Sequence, residues 1–155
     1  MPNKTTSLQH LSEHIVGIAQ EYFNPLLPLA IQTPNAWNNL PSDVPSYYFE
    51  NDFFEMLNKK YVISYITLGN TKYVKNLRQI RLKCGSHILL LSTSNLNLVN
   101  DMLIRIVRNG RSPKARVVVA VLEPMQMSRK IHSIAGDILF SAWIMADLTD
   151  VLVIL

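Results

Sequence analysis

The residues best placed to do chemistry are four in a row, Ser92-Thr93-Ser94-Asn95. They follow an apolar run and precede an amphipathic stretch, so they fall where a strand hands over to a helix. Hydroxyls and free amides at such a junction can hold an anion or a polar ligand. The simpler account is helix capping by Ser94 or Asn95. On the first account the four residues are the candidate ligand-binding positions; on the second they only cap the helix.

Other reactive residues fall short of a constellation. His10 and His14 are four apart on a helical stretch, a spacing at which two imidazoles can share a metal. Glu13 is expected off that face, and the pair reads as histidines facing solvent or a groove. Cys84 with His87 offers two ligand types without a second pair, and His87 falls within a strand, where it is expected to pack. His132 sits in the first turns of a helix. The acids Asp52, Glu55, Glu123, Asp137 and Asp147 are scattered, with no acid–base pairing. No Gly-x-Gly-x-x-Gly follows a strand, and there is no Gly-Lys-Ser/Thr loop and no Gly-x-Ser-x-Gly elbow. Five glycines in all give little material for a phosphate cradle. The expectation is a non-enzyme with no catalytic residues, no metal and no cofactor.

The elements that would position these residues alternate. Residues 7–23 carry Leu8, Leu11, Ile15, Ile18 and Tyr22 at helical spacing, with Ser7 as a cap and Asn24-Pro25 as a stop. Residues 26–32 read as a strand that Pro28 confines to an edge or a strand start. Residues 33–48 form a Pro/Asn/Ser-rich connection. A short helix over 50–60 turns Phe53, Phe54 and Leu57 inward and ends on Lys59-Lys60, where cations suit the helix dipole. Residues 61–68 are rich in β-branched and aromatic side chains and read as a strand. Residues 71–83 fit either a basic helix or an irregular connection.

From residue 86 the pattern is strand 86–92, helix 95–108, strand 116–122, a long helix from Ser128 through Trp143 and Ile144, and a last strand, Asp150-Val-Leu-Val-Ile-Leu155. The helix over 95–108 is expected to turn Leu98, Met102, Leu103, Ile106 and Val107 inward. Apolar strands alternating with amphipathic helices predict an α/β fold: an open, mostly parallel sheet of about five strands with helices on both faces. Residues 1–155 make one domain or part of one. The abrupt apolar end at Leu155 is expected to mark a truncated domain, because termini usually lie loose and exposed.

The composition narrows the class. Hydrophobic residues make up 48% and charged residues 17%, a low charge content that suits a chain covered on several sides. The net charge of +4 hides a basic block from Lys72 to Arg116, in which Asp101 is the lone acid. Such a block can attract nucleic acid, anionic lipid or an acidic partner, or be a solvated rim. Tyr73 is the lone aromatic within it, too little for base stacking, so nucleic acid is not an expected partner. Cys84 is the single cysteine and reads as a buried thiol, a free thiol or half of a bridge to sequence elsewhere. No window holds 18 continuous apolar residues, so no transmembrane helix is expected. Met1–Ser7 lacks the apolar core of a signal peptide. Asn3-Lys4-Thr5 is a sequon in which Asn3 would be glycosylated if the chain were secreted.

Residues 84–155 resemble a family. Cys84-Gly-Ser-His-Ile-Leu-Leu-Leu is followed by a helix, then by Arg111-Ser-Pro-Lys-Ala-Arg-Val-Val-Val-Ala-Val-Leu122, a long helix with Trp143, and Asp150–Leu155. Pro113-Lys114-Ala115-Arg116 with its strand is the most specific piece. The order is similar to the extracellular N-terminal region of divergent insect ionotropic receptors, chemosensory relatives of ionotropic glutamate receptors. The resemblance implies a periplasmic-binding-protein-like lobe in a ligand-gated cation channel subunit at the plasma membrane, extracellular side, assembled with co-receptor subunits. It implies no catalytic or pore function for this chain, whose sequence holds neither the ligand-binding lobes nor the pore. The alternative is a small cytosolic α/β domain that binds a nucleotide or metabolite. A second alternative is a basic nucleic-acid-binding domain.

Overall fold

In a computed structural model the described residues are 4–33, 44–60, 65–68, 84–91, 93–108, 115–121 and 128–155. Among them the order is helix α1 (Lys4–Tyr22), strand β1 (Leu29–Gln32), helix α2 (Val44–Lys60), strands β2 (Tyr65–Leu68) and β3 (Ser86–Leu91), then a 3-10 turn (Thr93–Leu98) leading into helix α3 (Val99–Arg108). Strand β4 (Arg116–Val121), helix α4 (Ser128–Phe140) with a π-helical extension (Ser141–Met145), and strand β5 (Val151–Ile154) complete it.

All four strand pairings are parallel, in the order β2-β1-β3-β4-β5. The expected five-stranded α/β sheet is therefore present. Its central strands β1, β3 and β4 are almost wholly buried, as parallel strands covered on two faces require.

Side-chain alternation sorts the strands into two cores. Leu29, Ile31, Ile88, Leu90, Val118 and Ala120 pack with Ile15, Val16, Ala19 and Phe23 near α1 and with Phe53 and Leu57 of α2. Leu89, Leu91, Val117, Val119 and Val121 pack on the other face with Met102, Leu103 and Ile106 of α3 and with Ile138, Ala142 and Ala146. Helices thus cover both faces, two elements to each.

Several expectations need correction. Of the two readings of Pro28, the strand start holds and the edge does not, because β1 begins at Leu29 and lies between β2 and β3. The strand starts after it, so its missing amide is no loss, and its carbonyl accepts from the Gly85 amide at 3.1 Å. That approach is close: a Cβ on Gly85 would stand 2.6 Å from Leu27 Cβ. The connection over 33–48 is shorter than expected, since α2 begins at Val44. Pro45 falls in its first turn, where a missing donor is tolerated.

The stripe on α1 is rotated. Ile15 is buried and Leu11 and Ile18 pack on the core, but Ser12, Val16 and Ala19 point inward and Tyr22 is 52% exposed. In α3, Met102, Leu103 and Ile106 are inward as expected, while Val107 is exposed and Val99 takes a buried place.

The end of α4 departs most from the sequence reading. Trp143 and Ile144 are 53% and 69% exposed. Helical spacing from buried Ile138 leads to Ala142 and leaves Trp143 and Ile144 outward, and the wider π turn then moves the next inward place from Met145 to Ala146. Ala142, Ala146 and Leu148 are buried in place of the larger side chains. The Leu148 amide donates to the Ala142 carbonyl at 2.9 Å, and Asp147 leaves the helix at φ 48°.

The readings made for residues 61–64, 69–83, 122–127 and the sequon at Asn3 lie outside the described residues.

Candidate ligand site at the strand ends

Strand order reverses between β1 and β3, and in open α/β sheets ligands sit beyond the carboxyl ends of strands at such a reversal. Two elements meet there. Gln32 closes β1 and is followed by Thr33, both buried. Thr93, Ser94 and Asn95 open the 3-10 turn that follows β3, which puts their backbone at the same end of the sheet. Ser92 and the side chains of the other three fall outside the described part of the structure, so hydroxyl contacts and capping are not assigned.

Gln32 is the residue that sequence reasoning passed over. It ends an otherwise apolar strand, which was its one visible signal. Alternation turns it toward α3, where Nε2 donates to the Met102 carbonyl at 3.3 Å. A carbonyl can only accept, so this contact fixes which end of the amide is NH2. The buried Oε1 has no hydrogen-bond partner among the described residues. Asn100 Oδ1, in the first turn of α3, is buried without a partner as well.

His87 lies on the same sheet face. It pairs in register with Ala30, two residues before Gln32. Strand rise and spacing put its Cα about 8 Å from that of Gln32. Both ring nitrogens are buried without hydrogen-bond partners among the described residues. Burial lowers its pKa to about 4, so the imidazole is neutral at pH 7. His87 is packed, as its place in a strand implied. Three polar side chains on the α3 side of the sheet therefore carry unmet hydrogen-bonding capacity. Native interiors rarely leave such groups unpaired.

Neutral His87 provides one donor and one acceptor, and the two amide oxygens provide acceptors. Together they suit a neutral ligand rich in N–H or O–H donors better than an anion.

Among the described residues no three His, Cys, Asp or Glu side chains gather as metal ligands. His10 and His14 are exposed on α1. Contrary to expectation, Glu13 reaches His10: Oε2 stands 3.5 Å from Nδ1. His132 is exposed. Cys84 is a buried free thiol, and burial raises its pKa, which keeps it protonated and poorly nucleophilic. Asp52, Asp137 and Asp147 lie exposed on separate elements, as does Glu55, which pairs with Lys59 at 2.5 Å. Glu123 falls outside the described residues.

Arg116, from the most specific part of the resemblance, has a structural role. It opens β4, donates to the Tyr22 carbonyl at the end of α1, and places Nε 3.1 Å from Asp150 Oδ2. Both side chains of that ion pair are largely exposed, so it contributes at most about 1 kcal/mol. Its consequence is registration of α1, β4 and the approach to β5.

Comparison with protein-family models, with curated proteins and with solved structures found no match. No helix among the described residues is long and apolar enough to cross a membrane.

Proposed function

We propose that this chain is a non-catalytic α/β lobe from the N-terminal extracellular region of a chemosensory, ligand-gated cation channel subunit. The observation that carries the reading is the five-stranded parallel sheet in the order β2-β1-β3-β4-β5, covered by helices on both faces, the frame a periplasmic-binding-protein-like lobe needs. The resemblance of residues 84–155 to divergent ionotropic receptors supplies the receptor class. In this reading the parent subunit sits in the plasma membrane with the lobe outside, and its partners are co-receptor subunits. The membrane-crossing segments belong to other parts of the parent protein. Long-read sequencing of transcripts that carry this reading frame tests it. Ligand-binding lobes and pore helices are expected downstream. A stop directly after Leu155 in every transcript overturns the reading.

A second reading is a small metabolite-binding domain, favoured by the unmet acceptors of Gln32 and Asn100 and the unpaired neutral ring of His87 on the α3 side of the sheet. It predicts thermal stabilisation by a neutral, donor-rich small molecule. A tenfold excess over the dissociation constant would stabilise by about 1.4 kcal/mol. A panel of nucleosides, polyols and amides at millimolar concentration that leaves Tm unmoved removes it.

A further inference from the structure

Helix α1 carries two histidines and a glutamate that neither the core nor the receptor reading uses. His10-Leu11-Ser12-Glu13-His14 sets two imidazoles four residues apart with a carboxylate between them. Residues 10, 13, 14 and 17 share one face of the helix, and neighbours on such a face have Cβ atoms about 5–6 Å apart. Two imidazoles at that spacing can grip one metal ion. The order H-x-x-E-H is one in which zinc sites set their ligands on a helix.

All four residues face solvent. The opposite side of the helix holds Ser12, Ile15, Val16 and Ala19, each fully buried. Packing therefore fixes the backbone beneath the two histidines, and an ion gains both ligands without having to order the helix.

Glu13 orients one ligand. Its Oε2 stands 3.5 Å from His10 Nδ1. That is long for a formed hydrogen bond, but a carboxylate on that side favours the tautomer with its proton on Nδ1. The lone pair then lies on Nε2, on the far side of the ring from the glutamate. Carboxylates orient metal-binding histidines in this way. Gly17 supplies room. Helical side chains lean toward the N-terminus, so a side chain at 17 would lie over positions 13 and 14. Glycine leaves that space open, and even a Cβ there meets nothing within 4 Å.

The donors select the ion. Imidazoles suit zinc, nickel and copper(II), whereas magnesium and calcium take oxygen ligands. Among the described residues no cluster of three His, Cys, Asp or Glu closes a coordination sphere, so water completes it.

We propose that His10 and His14 form a two-histidine chelate for a divalent late transition-metal ion, with Glu13 positioning His10. This stands on α1 alone and is independent of the receptor reading. Titration calorimetry of the tag-free full chain with zinc chloride tests it, from about 1 µM to 1 mM ion, a range that spans micromolar to millimolar dissociation constants. One ion should bind per chain, copper(II) should displace zinc, and magnesium chloride should give no binding. Glu13→Ala should weaken binding about tenfold, the lower end for a partner that orients a ligand. His10→Asn and His14→Asn should each cost at least as much. The double substitution should cost little more than either single one, because the first already breaks the chelate. His132→Asn, on another helix, should leave the affinity within about threefold. Far-UV circular dichroism should show every variant folded, since all these positions are exposed. A wild-type chain that binds no zinc over the range overturns the proposal, as does binding that both histidine variants retain. An affinity that Glu13→Ala leaves unchanged overturns the role given to the carboxylate.

Discussion

The two faces of the sheet are built to different standards. On the α1–α2 face Leu29, Ile31, Ile88, Leu90, Val118 and Ala120 pack among the aliphatic and aromatic side chains of both helices. Phe53 is fully buried, Phe54 stacks on Tyr65 with ring centroids 5.7 Å apart, and Gln20 Nε2 caps the Lys60 carbonyl at 2.6 Å. On the α3–α4 face the strands are just as apolar at their centres. Yet Gln32, His87 and Asn100 hold unmet polar atoms, and the outer surface of α4 exposes Phe140 and Trp143. The first face holds no such unpartnered buried polar atom among the described residues. The second departs from close packing and polar satisfaction at its inner and outer surfaces, and sequences break such rules mainly where function requires it.

The largest expected effect breaks the first face. Phe53→Ala removes a fully buried ring from the joint between α2 and the sheet and should destabilise by about 3–5 kcal/mol. Phe140→Ala deletes the same side chain from the outer surface of the second face and should change monomer stability by no more than about 0.5 kcal/mol. Urea unfolding at low protein concentration measures both. Equal losses would erase the distinction between the faces.

The next effect tests the interior of the second face through pH. The pKa of His87 falls from 6.5 unfolded to about 4 folded. The unfolded chain therefore takes up a proton first as pH falls. Stability is greatest above pH 6.5, declines from there to about pH 4, and is level below that as far as this group is concerned. The shift corresponds to on the order of 3 kcal/mol across the window. His87→Leu should remove that part of the slope and raise stability at pH 7 by about 1 kcal/mol, since an unpartnered ring gives way to an apolar one. Paired urea titrations at pH 7.5 and 4 read the difference. A wild-type slope that survives the substitution would mean that the ring is hydrated or paired.

How much of this could be read from the chain follows the same division. The buried strands β3 and β4 were plain, because continuous apolar runs between helical patterns admit few alternatives. Phe53 and Leu57 could be placed from their spacing. The central position of β1 could not, since Pro28 signals an edge or a start alike and only pairing decides. The exposure of Trp143 and Ile144 was legible, since helical spacing from Ile134 and Ile138 leads to Ala142, but the burial of Ala146 in place of Met145 was not, because the π extension breaks the count without a proline or glycine to announce it. Gln32 was invisible as a site for a different reason. One polar residue at the end of a strand usually faces solvent, and its burial follows from Met102, seventy positions away.

The smallest effect gives the sharpest comparison, because it applies one substitution to both faces. Gly17 in α1 and Gly136 in α4 are exposed helical glycines, and a Cβ at either meets nothing within 4 Å. Alanine at either position should stabilise the monomer by about 0.5–1 kcal/mol, through helix propensity and a less flexible unfolded chain. Gly17→Ala and Gly136→Ala should therefore raise Tm by similar amounts, since neither added methyl group meets a neighbour. Thermal unfolding of both variants and the wild type checks this. A gain at Gly17 that is absent at Gly136 would mean that the outer surface of α4 is covered in solution while that of α1 is open.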